Sequence, residues 1–202
     1  MLISFEGIDG CGKSTQIKLL EGYFSSKGRK CSVYREPGGT EISERIRSLL
    51  LHETDEMNAV TELLLFSAAR SQLITEKILP RLENKEVVIL DRYYDSTTAY
   101  QGYGRKLLKL DKLHIINKLA SHQTVPDLTF YLKISPVEAK KRTKNLQKDR
   151  MESSGDDFYQ RVTQGYDHLA ATEKRFNVLN AMKSPENIQS EIVEIIENFR
   201  KS

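Results

Sequence analysis

Leu2-Ile3-Ser4-Phe5-Glu6-Gly7-Ile8-Asp9-Gly10-Cys11-Gly12-Lys13-Ser14-Thr15 stands almost at the start of the chain, and its reading decides the fold. Leu2 to Phe5 is an apolar run too short for a stable helix and reads as a strand. Gly7 to Ser14 satisfies G-x-x-x-x-G-K-[ST], and apolar residues at helical spacing, Ile17, Leu20 and Phe24, follow it. Strand, glycine loop and helix in that order give the motif its mechanism. Glycines let the backbone curl until successive N–H groups face one centre, and the helix N-terminus adds partial positive charge. The loop is therefore expected to take the phosphates of a nucleoside triphosphate. Lys13 would reach the β- and γ-phosphates, and the Ser14 hydroxyl would serve Mg²⁺.

Working outward, further short β-prone runs stand at Cys31 to Tyr34, Val87 to Leu90, Leu128 to Leu132 and Phe176 to Leu179. Helical spacing lies between and after them: Ile42, Ile46, Leu49; Leu110, Leu113, then Ile116 or Asn117; and Ile188, Ile192, Ile195, Phe199, the last read as a core-facing stripe. Strands separated by helices need right-handed crossovers, so the class is α/β, a parallel sheet covered on both faces. Ser135 followed by Pro136 predicts a capped helix start after the fourth strand. Tyr103 to Lys109 and the polar Asn145 to Asp157 break the alternation, and the second reads as a mobile loop.

A chain of 202 residues fits one domain better than two. Its net charge of +3 is too small to argue for a nucleic-acid surface, and no apolar run approaches the roughly 20 residues of a membrane span. The start lacks the pattern of an export signal, and two cysteines, Cys11 and Cys31, fit a reducing compartment, so the protein is expected in the cytoplasm. Cys11 precedes a helix N-terminus and Lys13, surroundings that lower a thiol pKa; the alternative is a small residue filling a tight loop. His52, His114, His122 and His168 have no metal-ligand spacing, which argues against zinc.

Phosphate loops serve switches, motors and kinases alike, so other residues must separate them. Asn117-Lys118-Leu119-Ala120 and Thr143-Lys144-Asn145-Leu146 both lack the carboxylate of a guanine-reading N/T-K-x-D, and Asp91 is followed three residues later by Tyr94 where a switch needs glycine. A motor normally has a longer chain. A compact phosphotransferase remains, and it must hold a second anion with arginines at the carboxyl ends of the strands. Arg35, Arg92 and Arg70 are the candidates. Asp91, ending the third run, is placed to hold Mg²⁺. Phe66 and Arg70 are spaced i, i+4 and could offer a base a stacking ring and a planar donor, or be a core phenylalanine beside a surface arginine.

FEGIDGCGKST, REPGGT, DRYYDSTTAYQG and PDLTFYL, in this order and separation, resemble bacterial thymidylate kinase, and the resemblance covers essentially the whole chain. It implies a P-loop core with a five-stranded parallel sheet flanked by helices on both faces, a single domain over 1–202 with a lid at about 142–157, and a homodimer. The implied reaction is ATP and dTMP giving ADP and dTDP, with Mg²⁺ held by Ser14 and Asp91. On the ATP side it implies Gly7, Ile8, Asp9, Gly10, Cys11, Gly12, Lys13, Ser14, Thr15 and Arg142. On the dTMP side it implies Phe66 stacked on thymine, Arg70 at the base edge, Thr97 and Gln101 orienting it, Tyr100 near C2′, Arg92 on the phosphate, Asp9 facing the 3′-hydroxyl, and Glu36, Pro37, Arg47 and Arg35 around them. Asp9, Lys13, Arg92 and Arg150 would be catalytic. Arg150 is the lid candidate because this phosphate loop contains no arginine. A deoxynucleoside kinase, another pyrimidine nucleoside monophosphate kinase and a non-catalytic nucleotide-binding module are the alternatives.

Overall fold

The structure is a computed structural model that describes residues 1–51, 56–144 and 155–201. Five strands, β1 (Leu2–Glu6), β2 (Cys31–Arg35), β3 (Val87–Asp91), β4 (Leu128–Lys133) and β5 (Phe176–Asn180), form one parallel sheet in the order β2-β3-β1-β4-β5. Each extends one residue past its apolar run, because ladder bonds join backbones and ignore side-chain polarity. The added residues, Glu6, Arg35, Asp91, Lys133 and Asn180, gather charge and polarity at the carboxyl edge. β1 lies at the centre, pairing Phe5 with both Asp91 and Phe130.

Alternate residues of the buried strands serve opposite faces. Ile3, Phe5, Val87 and Ile89 face one core with Phe24, Tyr166 and Ile192; Leu2, Val88 and Leu90 face the other with Leu73, Ile74 and Ile78. The crossovers use α1 (Lys13–Ser26), α2 (Glu41–Leu51), α3 (Ala59–Leu73), α4 (Leu79–Glu83), α5 (Tyr94–Thr97), α6 (Leu110–Ala120), α7 (Pro136–Arg142) and α8 (Asp156–Thr172), and α9 (Pro185–Phe199) follows the last strand. Ser135 caps α7 as its sequence predicts, its side chain accepting the Glu138 N–H, with Pro136 in the first turn.

Three expectations need correction. The stripe of α9 packs through Ile188, Ile192 and Ile196, with Ile195 half-buried against the same core, and Phe199 is exposed. Ile42 and Leu49 of α2 face outward, and Ser43 and Leu50 are the residues it buries. Asp156 and Asp157, read as part of a loop, form the acidic first turn of α8, which suits a helix N-terminus. Residues 145–154 of that segment lie outside the described residues, as does His52.

Candidate active site

The turn from β1 into α1 is held by positive-φ glycines. Gly7 has φ 135°, and a Cβ there would lie 2.7 Å from the Leu132 carbonyl and 2.9 Å from the Cys11 sulfur; Gly10 has φ 81° and packs as tightly on Ala139. Cys11 is buried and fills the space against Gly7, so the small packing residue is the reading the geometry favours. α1 has no acidic residue in its first turn, leaving the positive end of its dipole uncompensated. The Lys13 ammonium lies across the loop, donating to the Gly7 carbonyl at 3.0 Å and the Ile8 carbonyl at 3.4 Å.

Arg92 follows β3 with φ 71°, an uncommon conformation for a residue with a side chain and one that surrounding bonds must hold. Its backbone N–H donates to Phe5 O, and its guanidinium donates to Asp9 Oδ1 at 2.7 Å and the Gly7 carbonyl at 3.0 Å. One arginine thus ties the β3 turn to the phosphate loop. Burial alone would raise the Asp9 pKa, but Arg92 and Lys13 outweigh it and bring it to about 2. Beneath them Glu6 accepts from Tyr93 N–H at 2.7 Å, Ser96 at 2.7 Å and the Tyr166 hydroxyl at 2.9 Å. Burial and the nearby Asp95 carboxylate push the Glu6 carboxyl up to about 7.

A cavity of about 550 Å³ opens from the loop toward α3, at the carboxyl edge of the sheet where open α/β folds place ligands. Asp9, Gly10, Gly12, Lys13, Ser14 and Thr15 line one end, and Phe66, Arg70, Thr97, Tyr100 and Gln101 the other, with Arg92 between. The Phe66 and Arg70 alternative resolves against a surface arginine. Arg70 is 2% exposed, while Phe66 is only half-buried and borders the cavity. Arg70 Nε donates to Glu36 Oε2 at 2.7 Å and Nη2 to Thr97 Oγ1 at 3.0 Å, leaving Nη1 buried with no hydrogen-bond partner among the described residues. Burial pushes the Glu36 carboxyl up to about 7 against the pull of Arg70. Tyr100 and Gln101 sit on residues 98–104, a π-helical turn, a widened geometry that recurs at functional sites.

Arg35, Glu36, Pro37, Arg47, Asp91 and Arg142 also border the cavity. Arg35 is largely exposed and paired with Glu44 at 3.2 Å, Arg47 donates to the Pro37 carbonyl, and Arg142 reaches the Gly10 and Ala181 carbonyls. Asp91 Oδ1 is buried without a hydrogen-bond partner among the described residues, beside the cavity that Ser14 also lines. A hard cation satisfies such an oxygen, so the pair fits Mg²⁺. Gly7, Ile8 and Cys11 support the loop from behind and do not line the cavity. Arg150 lies outside the described residues. Glu6, Ser96, Glu62 and Tyr166 were not singled out from sequence, although an acid ending a buried strand, as Glu6 does in FEG, is itself a signal that a partner waits there.

Known proteins resemble this chain along nearly its whole length. The family model described as thymidylate kinase matches residues 5–192. The chain is 49% identical to the thymidylate kinase of Chlorobaculum tepidum, with 98% of this chain and 97% of that one aligned. It is 42% identical to that of a Thermoanaerobacter species, over 98% and 97%. The crystal structure of thymidylate kinase from Ehrlichia chaffeensis superposes with a TM-score of 0.80 at 33% identity, covering 98% of each chain. Strand order, phosphate loop and full-length similarity together establish that this chain belongs to the thymidylate kinase family.

Proposed function

We propose that the protein transfers the γ-phosphoryl group of ATP to dTMP, giving ADP and dTDP. The observation that carries this reading is one continuous cavity joining a phosphate loop to a buried arginine and an aromatic ring, with Arg92 at the junction. Residues 7–15 would hold the ATP phosphates, and Arg142 would lie against the adenine. Lys13 would neutralise charge on the transferring group, and Arg92, anchored by Asp9, would hold the acceptor phosphate in line with it. Asp9, ionised at neutral pH, would face the 3′-hydroxyl, and Tyr100 would stand near C2′. Phe66 would stack on the base, with Arg70, Thr97 and Gln101 at its edge. Glu36 and Pro37 would support that end, and Arg47, with Arg35, would add to the basic surround.

Mg²⁺ held by Ser14 and Asp91 would bridge the phosphates and neutralise their charge. Arg150, in the proposed lid, would add a cation over the transferring group. No helix among the described residues is long and apolar enough to cross a membrane, and we place the protein in the cytoplasm, with no nucleic-acid or membrane partner. We further propose a homodimer, supported by exposed apolar residues on the packed helices α2, α3 and α6.

Coupled ADP release tests the reaction across dTMP, dUMP, thymidine and AMP. Turnover with dTMP far above thymidine and AMP is the expected result. A preference for thymidine would favour a nucleoside kinase, and no turnover with any of them a binding module.

A further inference from the structure

Two side chains at the base-facing end of the cavity differ in what they can offer. Arg70 carries only donors. Gln101 carries an acceptor and a donor at the ends of one amide, so its meaning to a ligand depends on which end faces the cavity. That choice is fixed from behind. Gln101 Nε2 donates to Glu62 Oε1 at 2.9 Å, and Glu62, 1% exposed on α3, is paired through Oε2 with Arg105 Nη2 at 3.1 Å. An ionised carboxylate only accepts, so turning the amide over would set two acceptors against each other in a buried place. Gln101 Oε1 makes no hydrogen bond with the described residues and is the group left for the cavity that Gln101 lines.

We propose that Glu62 is a specificity-positioning residue: by holding the Gln101 amide nitrogen, it makes the cavity present one carbonyl acceptor beside the Arg70 donor. A pyrimidine with a 4-oxo group and an N3–H matches that pair. Cytosine, with a 4-amino donor and a bare N3, opposes it at both positions. The inference rests on the cavity being the dTMP site and adds a residue that need not touch the ligand. Arg105 is part of the device, since its guanidinium donates to Glu62 and holds the carboxylate in place. Glu62→Gln converts the anchor into a group that can also donate, which frees the Gln101 amide to turn and offer N–H to N3 of cytosine.

The test is kcat/KM for dTMP and for dCMP in wild type, Glu62→Gln, Glu62→Asp, Gln101→Met and the Glu62→Gln/Gln101→Met double variant. In Glu62→Gln the dTMP to dCMP ratio should fall about tenfold or more, while Glu62→Asp, still a pure acceptor, should keep the ratio even if both rates drop. With Gln101 absent, Glu62→Gln should change the ratio no further, since the effect travels through that amide. Calorimetric titration of dTMP and dCMP reads the same ratio in any variant with too little turnover. Rates that fall together in Glu62→Gln with the ratio kept, or a ratio that shifts equally without Gln101, would overturn the inference while leaving the reaction intact. Wild type that handles dCMP as well as dTMP would instead overturn the reading of the cavity itself.

Discussion

Arg70→Ala removes one partner of a buried ion pair and leaves Glu36 either charged without its cation or driven to take up a proton. Stranding a buried carboxylate in this way costs about 3 kcal/mol or more, so the variant should melt lower and also lose preference for dTMP over dCMP. The two effects separate in Arg70→Met/Glu36→Gln, expected to recover most of the melting temperature and none of the preference. A single variant that kept the dTMP to dCMP ratio of kcat/KM would remove Arg70 from base reading. The thiols allow a cheaper check. Cys11 is 1% exposed, and burial pushes the Cys31 thiol up to about 11, so neither should react quickly with a disulfide reagent in the native protein at pH 8. A fast-reacting thiol protected by ATP would restore the activated-cysteine reading of the phosphate loop. Arginines that complete a phosphoryl-transfer site contribute roughly 10³ to 10⁵ in rate, about 4 to 7 kcal/mol of barrier. Arg150→Ala should therefore lower kcat at least about a hundredfold with dTMP affinity little changed, and Arg150→Lys should recover only part of it. A kcat within about threefold of wild type would move attention to Arg142.

At the scale of elements, Glu6 is the meeting point of β1, α5 and α8, through Ser96 and Tyr166. Its carboxyl takes up a proton near 7 in the folded chain and near 4.5 when unfolded, so between those values the folded state holds more protons. Stability must then fall as pH rises from about 4.5 to about 7, by an amount on the order of 3 kcal/mol from this group. Urea midpoints at pH 5 and 7.5 should show that loss in wild type and a smaller one in Glu6→Gln; equal losses would place the proton elsewhere. Glu6 also marks the limit of what sequence shows. Apolar runs located all five strands, because a parallel sheet buried on both faces demands them, and spacing located the phosphate loop, because its mechanism is local in the chain. The support under it is not local: Glu6 meets Tyr166 across 160 residues, and Asp95 is held by both terminal guanidinium nitrogens of Arg175 at 2.7 Å. A carboxylate facing a distant arginine looks, in sequence, like any charged residue. Helix faces failed for a related reason. Ile42 and Leu49 repeat as a core stripe would, and periodicity does not say whether the sheet or something outside the chain lies opposite.

The outward residues of these helices cluster. Ile42 and Leu49 on α2, Val60 and Leu64 on α3, and Ile115 and Leu119 on α6 are all exposed, with Leu119 at 77% and Ile115 at 66%. α3 packs against both α2 and α6, so the three helices form one side of the molecule. Single exposed aliphatics are ordinary on any surface; their concentration on adjoining helices is what marks an association face. Two copies pressed together there would cover these side chains. A stable interface buries at least about 1,000 Å² in total, and three helices of 11 to 15 residues offer room for that. Sedimentation velocity at micromolar concentration should therefore give a dimer. The melting temperature should rise with protein concentration, as mass action requires when association stabilises the folded chain. Leu64→Glu/Leu119→Glu places charges where each would be desolvated in the interface, yet both positions are exposed within one chain, so the variant should fold. It should sediment as a monomer and melt at a temperature independent of concentration. A wild type that is already monomeric, or a double variant that stays dimeric, would show that α2, α3 and α6 do not form the contact.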